Sequence, residues 1–454
     1  MARALTRELA SWVASLAWDQ VPKPTREVLR AAVLDTLGAG LYGSTTPWAR
    51  VVREWAERAA GKGVASVWGA PAPSLGAAEA ALVNGVAAHS FELDDYHQSK
   101  IHPGAVVLPA VLALGEASGA TGTDLLTAAA AGYEVMIRSA LALEPVGARL
   151  RGWHLTGVTG PLGAAAACAR LLRLDPERTA WALGLGATQG SGLFAFNADG
   201  SMSKRLHPGR AAHAGVLAAE LASVGFTGPA EAYEAGDGGF LKAFSEGPRP
   251  ERLTADLGRA WCTDATSFKP YSCCGSLHAY VDAALALRAK HGPPREGTRV
   301  RAGLSRVVGV QCGFPYEPST VMHAQMSLRY CVAVALLEGA ALPEEFAPEK
   351  LHDPRIVDLA RRIELVPDAA LDRLYPEHFA GWVAIERGAL TERADVLDPT
   401  GSIARPMAWP GLVEKFRRLL AGAIPAPALD RTEAAVRRLE ETTARDLVAA
   451  LVKD

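Results

Sequence analysis

The sequence predicts a mainly α-helical protein with a smaller α+β part. A large all-helical domain would be made from both chain ends, with an α+β domain inserted between them. From the start to about residue 250, apolar residues recur at helical spacing. Near residue 265, short β-rich runs appear between Gly, Pro and Asp, and after Gly401 the helical pattern returns. We predict a helical domain from 1–266 and 404–454, and an α+β domain from 267–403.

Helices of the first part are predicted from start signals and from apolar faces. A strongly apolar segment, Ala105–Leu114, reads as a buried helix. The other predicted helices are 24–37, with Leu29, Val33 and Leu37 on one face; 124–143, capped by Thr123; and 164–172. Alanine and glycine dominate their contact faces, which predicts closely packed helices.

The middle and last parts follow from shorter patterns. The predicted strands lie at Val307–Val310, Ile363–Val366 and Trp382–Ile385, and the predicted helices at 277–287, 328–337, 412–420 and 430–451. Asp430 followed by Glu433 indicates a capped start of the last helix. We expect the C-terminal helices to pack back onto the first domain.

Charge and composition exclude several classes of protein. The 454 residues hold 47 Lys and Arg against 49 Asp and Glu, without the basic excess typical of nucleic-acid or acidic-membrane binding. We find neither an apolar run of membrane-spanning length nor a signal-peptide core, and we expect a cytoplasmic protein. The six cysteines contain no C-x-x-C pair, so we expect reduced thiols and no zinc site.

The densest group of titratable residues lies at 92–104. Three carboxylates, two histidines and one lysine share these thirteen residues, namely Glu92, Asp94, Asp95, His97, His102 and Lys100. An apolar helix follows directly, so the group is predicted to lie at the edge of a core, between two helix ends. Burying a charged group costs free energy unless a partner or a ligand compensates the charge. A dense group of charges at the edge of a core is therefore a candidate site.

Further cations and a histidine stand beside glycine or proline, where side chains can project into a cavity. They are His154, Lys204, Arg205 and Lys269. Histidine, lysine and arginine opposite carboxylates would suit an anionic substrate that exchanges a proton. The glycines of 184–190 follow a helical segment rather than a strand, which excludes a dinucleotide loop, and neither a Walker A nor a G-x-S-x-G motif is present.

Several motifs together resemble, in order and spacing, the 2-methylcitrate dehydratase and cis-aconitate decarboxylase superfamily (MmgE/PrpD). They are 89–109, 152–166, 203–212, 225–229, 268–271, 327–335 and 414–416. The resemblance implies the same two-domain fold with a cleft between the domains, a homodimer, and cofactor-free chemistry on a small polycarboxylate without a metal. By position it places His102, His154, Lys204 and Lys269 in the active site.

Three positions depart from the pattern of the resembled family. Glu92 stands where that family typically has aspartate, and Tyr96 replaces a threonine. A tyrosine of the decarboxylases aligns with Cys312, although Tyr316 is close by. These departures argue mildly against decarboxylation, so a 2-methylcitrate dehydratase-like reaction is our first expectation. A decarboxylase or an epimerase of a related polycarboxylate is the alternative.

Proton removal beside a carboxylate requires a base and fixed cations near the developing negative charge. We predict His154 as general base or acid and His102 as its partner. The carboxylates at 92, 94 and 95 would orient these histidines. The predicted substrate-binding residues are Lys204, Arg205, Lys269, Tyr96 and Tyr316.

Two other classes of function remain open from the residues alone. Asp94, Asp95, His97 and His102 could hold a divalent cation in a metal-dependent lyase or hydrolase. A non-enzymatic helical binding protein is the third possibility, and it would tolerate the loss of His154 and Lys204.

Overall fold

A computed structural model describes residues 4–70 and 75–451, and it confirms a mainly α fold with a smaller α+β part. The first part contains eleven helices in the described residues and one strand pair. The helices are α1 Leu5–Ser15, α2 Lys23–Gly43, α3 Pro47–Ala59, α4 Ala77–Ala88, α5 Gly104–Ser118, α6 Gly122–Ala142, α7 Pro145–Leu150, α8 Leu155–Leu171, α9 Pro176–Ala187, α10 Ser203–Ser223 and α11 Phe240–Phe244.

Two helix starts differ from the prediction. The cap of α6 is Thr121 rather than Thr123, because Thr121 and Asp124 bond each other's backbone N–H groups in a capping box. Helix α8 starts at Leu155, well before the predicted 164. The glycines of α8 do not end the helix, because they let it pack closely against α10, and this packing stabilises it. A Cβ on Gly160 would lie only 2.7 Å from the Cβ of Ala211 on α10.

The middle part holds seven helices and a four-stranded sheet. The helices are α12 His278–His291, α13 Arg306–Cys312, α14 Val321–Met326, α15 Leu328–Glu338, α16 Pro348–Leu351, α17 Pro354–Arg362 and α18 Ala369–Leu374. The strands are β3 Arg299–Leu304, β4 Glu364–Pro367, β5 Gly381–Arg387 and β6 Leu390–Val396, in the order β4-β3-β5-β6. Only the β3–β4 pair is parallel.

The predicted strand at Val307–Val310 is wrong. This apolar run lies in α13, whose start is capped by Ser305: the Ser305 side chain accepts a hydrogen bond from the Val308 N–H. A short apolar run has no period long enough to separate a strand from a buried helix. The predicted strands at 363–366 and 382–385 correspond to β4 and β5.

The last three helices are α19 Trp409–Leu420, α20 Ala426–Arg437 and α21 Ala444–Ala449. Helix α20 begins at Ala426, so Asp430 is inside a helix and is not the predicted start. Phe416, Leu420 and Leu447 share one apolar core with Leu9 and Leu34 of the first helices. The C-terminal helices therefore pack on the first part of the chain.

A second apolar core belongs to the middle part and also receives side chains from the first. Tyr280, Val300 and Val383 lie in it together with Phe91 and Leu93. A short strand pair, β1 Tyr96–His97 with β2 Thr266–Ser267, joins the two parts again. The charged segment 92–104 thus lies where the two parts meet.

One described helix, α6, is long and apolar enough to cross a membrane by length and composition. However, 94% of its most apolar stretch is buried inside the protein, as in the core helix of a soluble protein. It also carries a buried ion pair, Arg138 to Glu134 at 2.8 Å.

Candidate active site

The segment 89–104 runs from the end of α4 to the start of α5, as predicted, and most of its side chains are buried. Antiparallel pairing of β1 with β2 aligns Tyr96 with Ser267, which brings Lys269, two residues after Ser267, toward the same place. Glu92 and Lys100 have φ angles of +55° and +65°, in the left-handed region. Such backbone strain at residues other than glycine is typical of functional segments.

Asp94 binds two imidazole rings. The Nδ1–H of His89 donates to Asp94 Oδ2 at 2.7 Å, and Nδ1 of His102 lies 3.2 Å from the same oxygen. The His102 Nδ1–H also donates to the carbonyl oxygen of Asp95 at 2.9 Å. Both rings therefore carry their proton on Nδ1, and the Nε2 atom of His102 is left to act toward the cavity.

The charge state of this group follows from its burial. Burial alone would raise the pKa of Asp94, but His89, His102 and Lys269 hold it well below its ordinary value. Burial lowers the pKa of His89 well below its usual range, despite Asp94. At neutral pH the centre is thus a carboxylate beside a neutral His89.

His154 is the N-cap residue of α8 and is almost fully buried. Its Nδ1 shares a hydrogen bond of 2.8 Å with Nδ1 of His207, so only one of these two atoms carries the proton. Burial, with repulsion from His207, holds the pKa of His154 well below its usual range. A ring that resists protonation in this way is a poor proton donor near neutral pH.

Glu92 joins the two predicted lysines. Its carboxylate accepts from Nζ of Lys204 and, at 3.0 Å, from Nζ of Lys269. Lys204 also donates to Nε2 of His89 at 3.1 Å, which agrees with the Nδ1–H form of that ring. Burial, reinforced by repulsion from Lys269, holds the pKa of Lys204 below its ordinary value. The contact with the Glu92 carboxylate acts in the opposite direction and favours the charged form of the Lys204 amine.

Asp95 lies behind these groups and does not line the cavity. It accepts from the Gly104 N–H at 2.8 Å, at the start of α5, and from the Tyr133 hydroxyl at 2.8 Å. Burial, with the nearby Asp35, raises the pKa of Asp95 to about 7. Its main contact with the histidines is through its backbone oxygen.

A small cavity, partly open to solvent, lies in front of these groups and between the two parts of the chain. Of the predicted site residues, Glu92, Tyr96, His97, His102, His154 and Lys204 line it. The middle part contributes Cys274, Ser276, Gln311, Met326 and Phe379. The lining also contains apolar side chains, namely Ile101, Trp153, Leu155, Phe194, Met326 and Phe379.

Three of the predicted substrate-binding residues do not line this cavity. Lys269 is fully buried behind Glu92. Arg205 donates to the Ser90 carbonyl at 2.9 Å, and its guanidinium carbon lies 4.0 Å from the centre of the Trp48 ring. Tyr316 lies in the core of the middle part, where its hydroxyl donates to Leu351 O at 3.0 Å. The placements of Arg205 and Tyr316 argue against substrate contact.

The four residues of the predicted metal alternative do not converge. Asp95 is bonded as above, and Nδ1 of His97 receives the Ser99 N–H at 3.0 Å. A different set, His89, Asp94 and His102, places its ligand atoms within 4.8 Å of one another. Lys269 lies 3.8 Å from Asp94, and a cation there disfavours a second cation between these ligands.

Sequence reasoning left several residues in and behind this cavity without a role. His89 and His207, behind the lining, fell inside quoted motifs, but only their contacts reveal that they support His102 and His154. Lys100, Arg149 and Cys274 line the cavity. A hydrogen bond from the Cys312 thiol, with attraction from Lys204, lowers the pKa of Cys274. All six cysteines are free thiols.

Comparison with known proteins gives matches over nearly the whole chain. The sequence model of the MmgE/PrpD N-terminal domain matches residues 7–253, and that of the MmgE/PrpD C-terminal domain matches residues 271–441. The chain is 30% identical to the cis-aconitate decarboxylase-like protein oryM of Aspergillus oryzae, over 99% of this chain and 97% of that protein. It is 31% identical to a cis-aconitate decarboxylase of Aspergillus terreus, over 92% and 90% of the two chains. The human cis-aconitate decarboxylase is 28% identical, over 100% and 95%.

Proposed function

The chain belongs to the MmgE/PrpD family, and we propose that it is a cofactor-independent lyase that decarboxylates cis-aconitate or a closely related tricarboxylate. Relatives named as cis-aconitate decarboxylases align with it almost from end to end. This supports the alternative over the first expectation, the dehydration of a 2-methylcitrate-like compound. The observation that carries the proposal is the ring of His102, held by Asp94 with its Nε2 atom left for the cavity.

The chemistry of cis-aconitate explains why no cofactor is needed. When the carboxylate on the methylene carbon leaves as CO₂, its bonding electrons form a new double bond to the central carbon. The electrons of the old double bond then move to the outer carbon, where the attached carboxylate delocalises them as an enediolate. A proton delivered to that carbon completes the product, a dicarboxylate with the shifted double bond. The substrate is its own electron sink, so the protein has to supply a proton and stabilise charge.

We assign the proton donor to His102 and a supporting part to His154, the reverse of the assignment made from the sequence. The carboxylate of Asp94 lies 3.2 Å from Nδ1 of His102, and a carboxylate there stabilises the imidazolium form. His154 has a second imidazole, His207, in the corresponding position instead. An acid must be protonated before the reaction, which favours the ring that is backed by negative charge.

Lys204 is the cation that we assign to the developing enediolate. An ammonium group has three N–H donors, and in Lys204 two of them go to Glu92 and His89. The third is left for a substrate oxygen. Lys269, which does not reach the cavity, would act by holding Glu92 in place. The apolar side chains of the lining favour loss of the leaving group, since a carboxylate loses its charge as it becomes CO₂.

The test measures the release of CO₂ and the incorporation of a solvent proton in the same experiment. Purified protein is incubated with cis-aconitate in D₂O, and CO₂ release and NMR spectra are recorded; we expect one solvent deuteron at the carbon that lost the double bond. His102→Gln is expected to lower kcat by about 10² to 10⁴, the usual contribution of proton transfer. The matched control is His291→Gln, which breaks a surface pair, His291 Nε2 to Glu392 Oε2 at 2.8 Å, at the end of α12.

Each result has a consequence for the proposal. If cis-aconitate is unchanged while 2-methylcitrate loses water, the dehydratase expectation is right and the decarboxylase proposal is wrong. If His102→Gln is folded and still decarboxylates at the wild-type rate, another group moves the proton, and His154→Gln identifies whether it is His154.

We also propose a cytoplasmic homodimer, which rests on the resemblance to the family. On α3 two apolar side chains one turn apart, Val51 and Trp55, are 60% and 52% exposed and offer a surface for a second copy. Light scattering at micromolar concentration is expected to give twice the mass of the chain. A monomer would remove this part of the proposal.

A further inference from the structure

Two cations that line the cavity lack the carboxylate partners that the other two have. Glu92 contacts both Lys204 and Lys269, and Asp94 lies 3.8 Å from Lys269. Two further cations line the cavity, Lys100 and Arg149. Among residues 4–70 and 75–451, neither of these two has a carboxylate partner.

Lys100 contacts aromatic groups only. Its ammonium group donates to the Tyr375 hydroxyl and lies 4.4 Å from the centre of the Tyr375 ring and 5.8 Å from that of Phe379. Burial lowers the pKa of Lys100 to about 7; Cys274 opposes this, and Arg149 adds to it. A left-handed backbone conformation, with φ at +65°, holds the residue in this position. A strained residue that holds a partly buried amine away from any carboxylate lowers stability, which points to a role in binding.

Arg149 is the second such cation. It is 6% exposed on α7, and its guanidinium carbon lies 3.3 Å from the centre of the Phe194 ring. Its Nε is buried without a hydrogen-bond partner in the described residues. Arg149 and Phe194 line both this cavity and a wider surface depression beside Asn197 and His323. Arg149 therefore lies where the cavity meets solvent, with donors left to bind an anion.

We propose that Lys100 and Arg149 together bind one carboxylate of the substrate that the reaction retains, and that this subsite makes the cavity selective for tricarboxylates over dicarboxylates. The inference deepens the proposed function and rests on it for the identity of the substrate. Lys204 would then hold the carboxylate conjugated with the reacting carbon. A carboxylate at Lys100 and Arg149 would accept hydrogen bonds from both side chains, and charge-assisted bonds of this kind are among the stronger ones.

The test uses ligands that cannot react. Tricarballylate is the saturated counterpart of cis-aconitate, and glutarate is the same molecule without the central carboxylate that the subsite would bind. Calorimetric titration of the full-length protein with each ligand gives a selectivity ratio that does not depend on turnover. The variants are Lys100→Met and Arg149→Met, which keep much of the apolar stem and remove the charge. The matched control is Arg151→Met, whose side chain is 37% exposed near the end of the same helix.

We expect each variant to bind tricarballylate about 10- to 100-fold more weakly, as for the loss of one charge-assisted hydrogen bond. Binding of glutarate should weaken much less, so the ratio between the two affinities falls toward one. The control should keep the wild-type ratio. Without ligand, Lys100→Met should unfold at the same or a higher urea concentration than the wild type, because it removes a partly buried amine that has no carboxylate partner.

Two outcomes would overturn the subsite. The first is that both binding affinities, and therefore their ratio, stay at the wild-type values. The second is that the affinities for both ligands fall equally, which would indicate a general electrostatic effect of the two cations rather than a subsite for one carboxylate. Turnover separates this inference from the proposed function. Decarboxylation of cis-aconitate with an unchanged KM in both variants removes the subsite alone, whereas selective tricarballylate binding without decarboxylation removes only the reaction.

Discussion

Replacing Asp94 by asparagine tests the proposed proton donor most directly. The substitution keeps the size of the side chain and an oxygen that can accept the Nδ1–H of His89, but it removes the charge 3.2 Å from Nδ1 of His102. The imidazolium form of His102 then loses its main stabilising partner. The neutral ring is much less affected, so the loss falls on the protonated state that the reaction needs.

The size of the effect follows from the distance. Two unit charges about 3 Å apart attract each other by about 5 kcal/mol at an effective dielectric constant of about 20. The amide dipole of asparagine recovers part of this, and we expect a net loss of about 3 to 4 kcal/mol. At about 1.4 kcal/mol per factor of ten, kcat/KM at pH 7 should fall by about 10² to 10³.

The assay is kcat/KM for CO₂ release from cis-aconitate between pH 5 and 8. Asp95→Asn is the matched control, since it neutralises the adjacent buried carboxylate, which reaches Gly104 and Tyr133 rather than an imidazole nitrogen. We expect the control to stay within about threefold of the wild type. Near-normal activity of folded Asp94→Asn at pH 7, or an equal loss in the control, would refute the reasoning.

Three further predictions concern stability and metals. Glu92→Gln leaves two buried amines without their carboxylate and should lower the free energy of unfolding by about 3 to 5 kcal/mol, as for other broken buried pairs; a urea midpoint equal to the wild type would contradict this. Burial raises the pKa of Asp95 to about 7 in the folded protein, above its value of about 4 in the unfolded chain. The folded state therefore binds more protons between pH 4 and 7, and this carboxyl group lowers stability by up to about 1.4 kcal/mol per unit as the pH rises; Asp95→Asn should show a smaller decline in thermal unfolding temperature over that range, and an equal decline would disprove the assignment. Activity should survive EDTA, because Lys204 and Lys269 stand beside the possible ligands; loss of turnover that one divalent metal restores would overturn this.

The helical part could be predicted well because its signals are long. Helices such as α2 and α5 repeat their apolar face over several turns, which averages out local exceptions. The run 307–310 has only four residues, and its assignment depended on the cap at Ser305, which the prediction did not use. The capping residue of α6 was misassigned by two positions for a similar reason, because Thr121 and Thr123 are both plausible caps by residue type.

The site could be located from the sequence, but its contacts could not. Lys204 and Arg205 are neighbours in the chain, yet successive residues of a helix point about 100° apart. One therefore faces the cavity, while the other stacks on Trp48. The ion pairs of Glu92 join residues 112 and 177 positions apart, which no local pattern encodes. The density of charged residues in the sequence predicted where the site lies. The role of each side chain depends on its contacts, which only the structure shows.

The support of the charged segment comes partly from the far end of the chain. On α19, Nζ of Lys415 donates to Asp35 Oδ1 at 2.6 Å and also binds the carbonyl oxygen of Leu93, one residue from Glu92 and Asp94. The proposed catalytic and substrate-binding residues lie between 89 and 274, but a ribosome must add about 140 more residues before Lys415 exists. At about 5 to 20 residues per second, this is a delay of about 7 to 30 s. During that interval the nascent chain carries the catalytic groups without the contacts of Lys415 to Asp35 and Leu93. Activity should therefore begin only when synthesis is nearly complete.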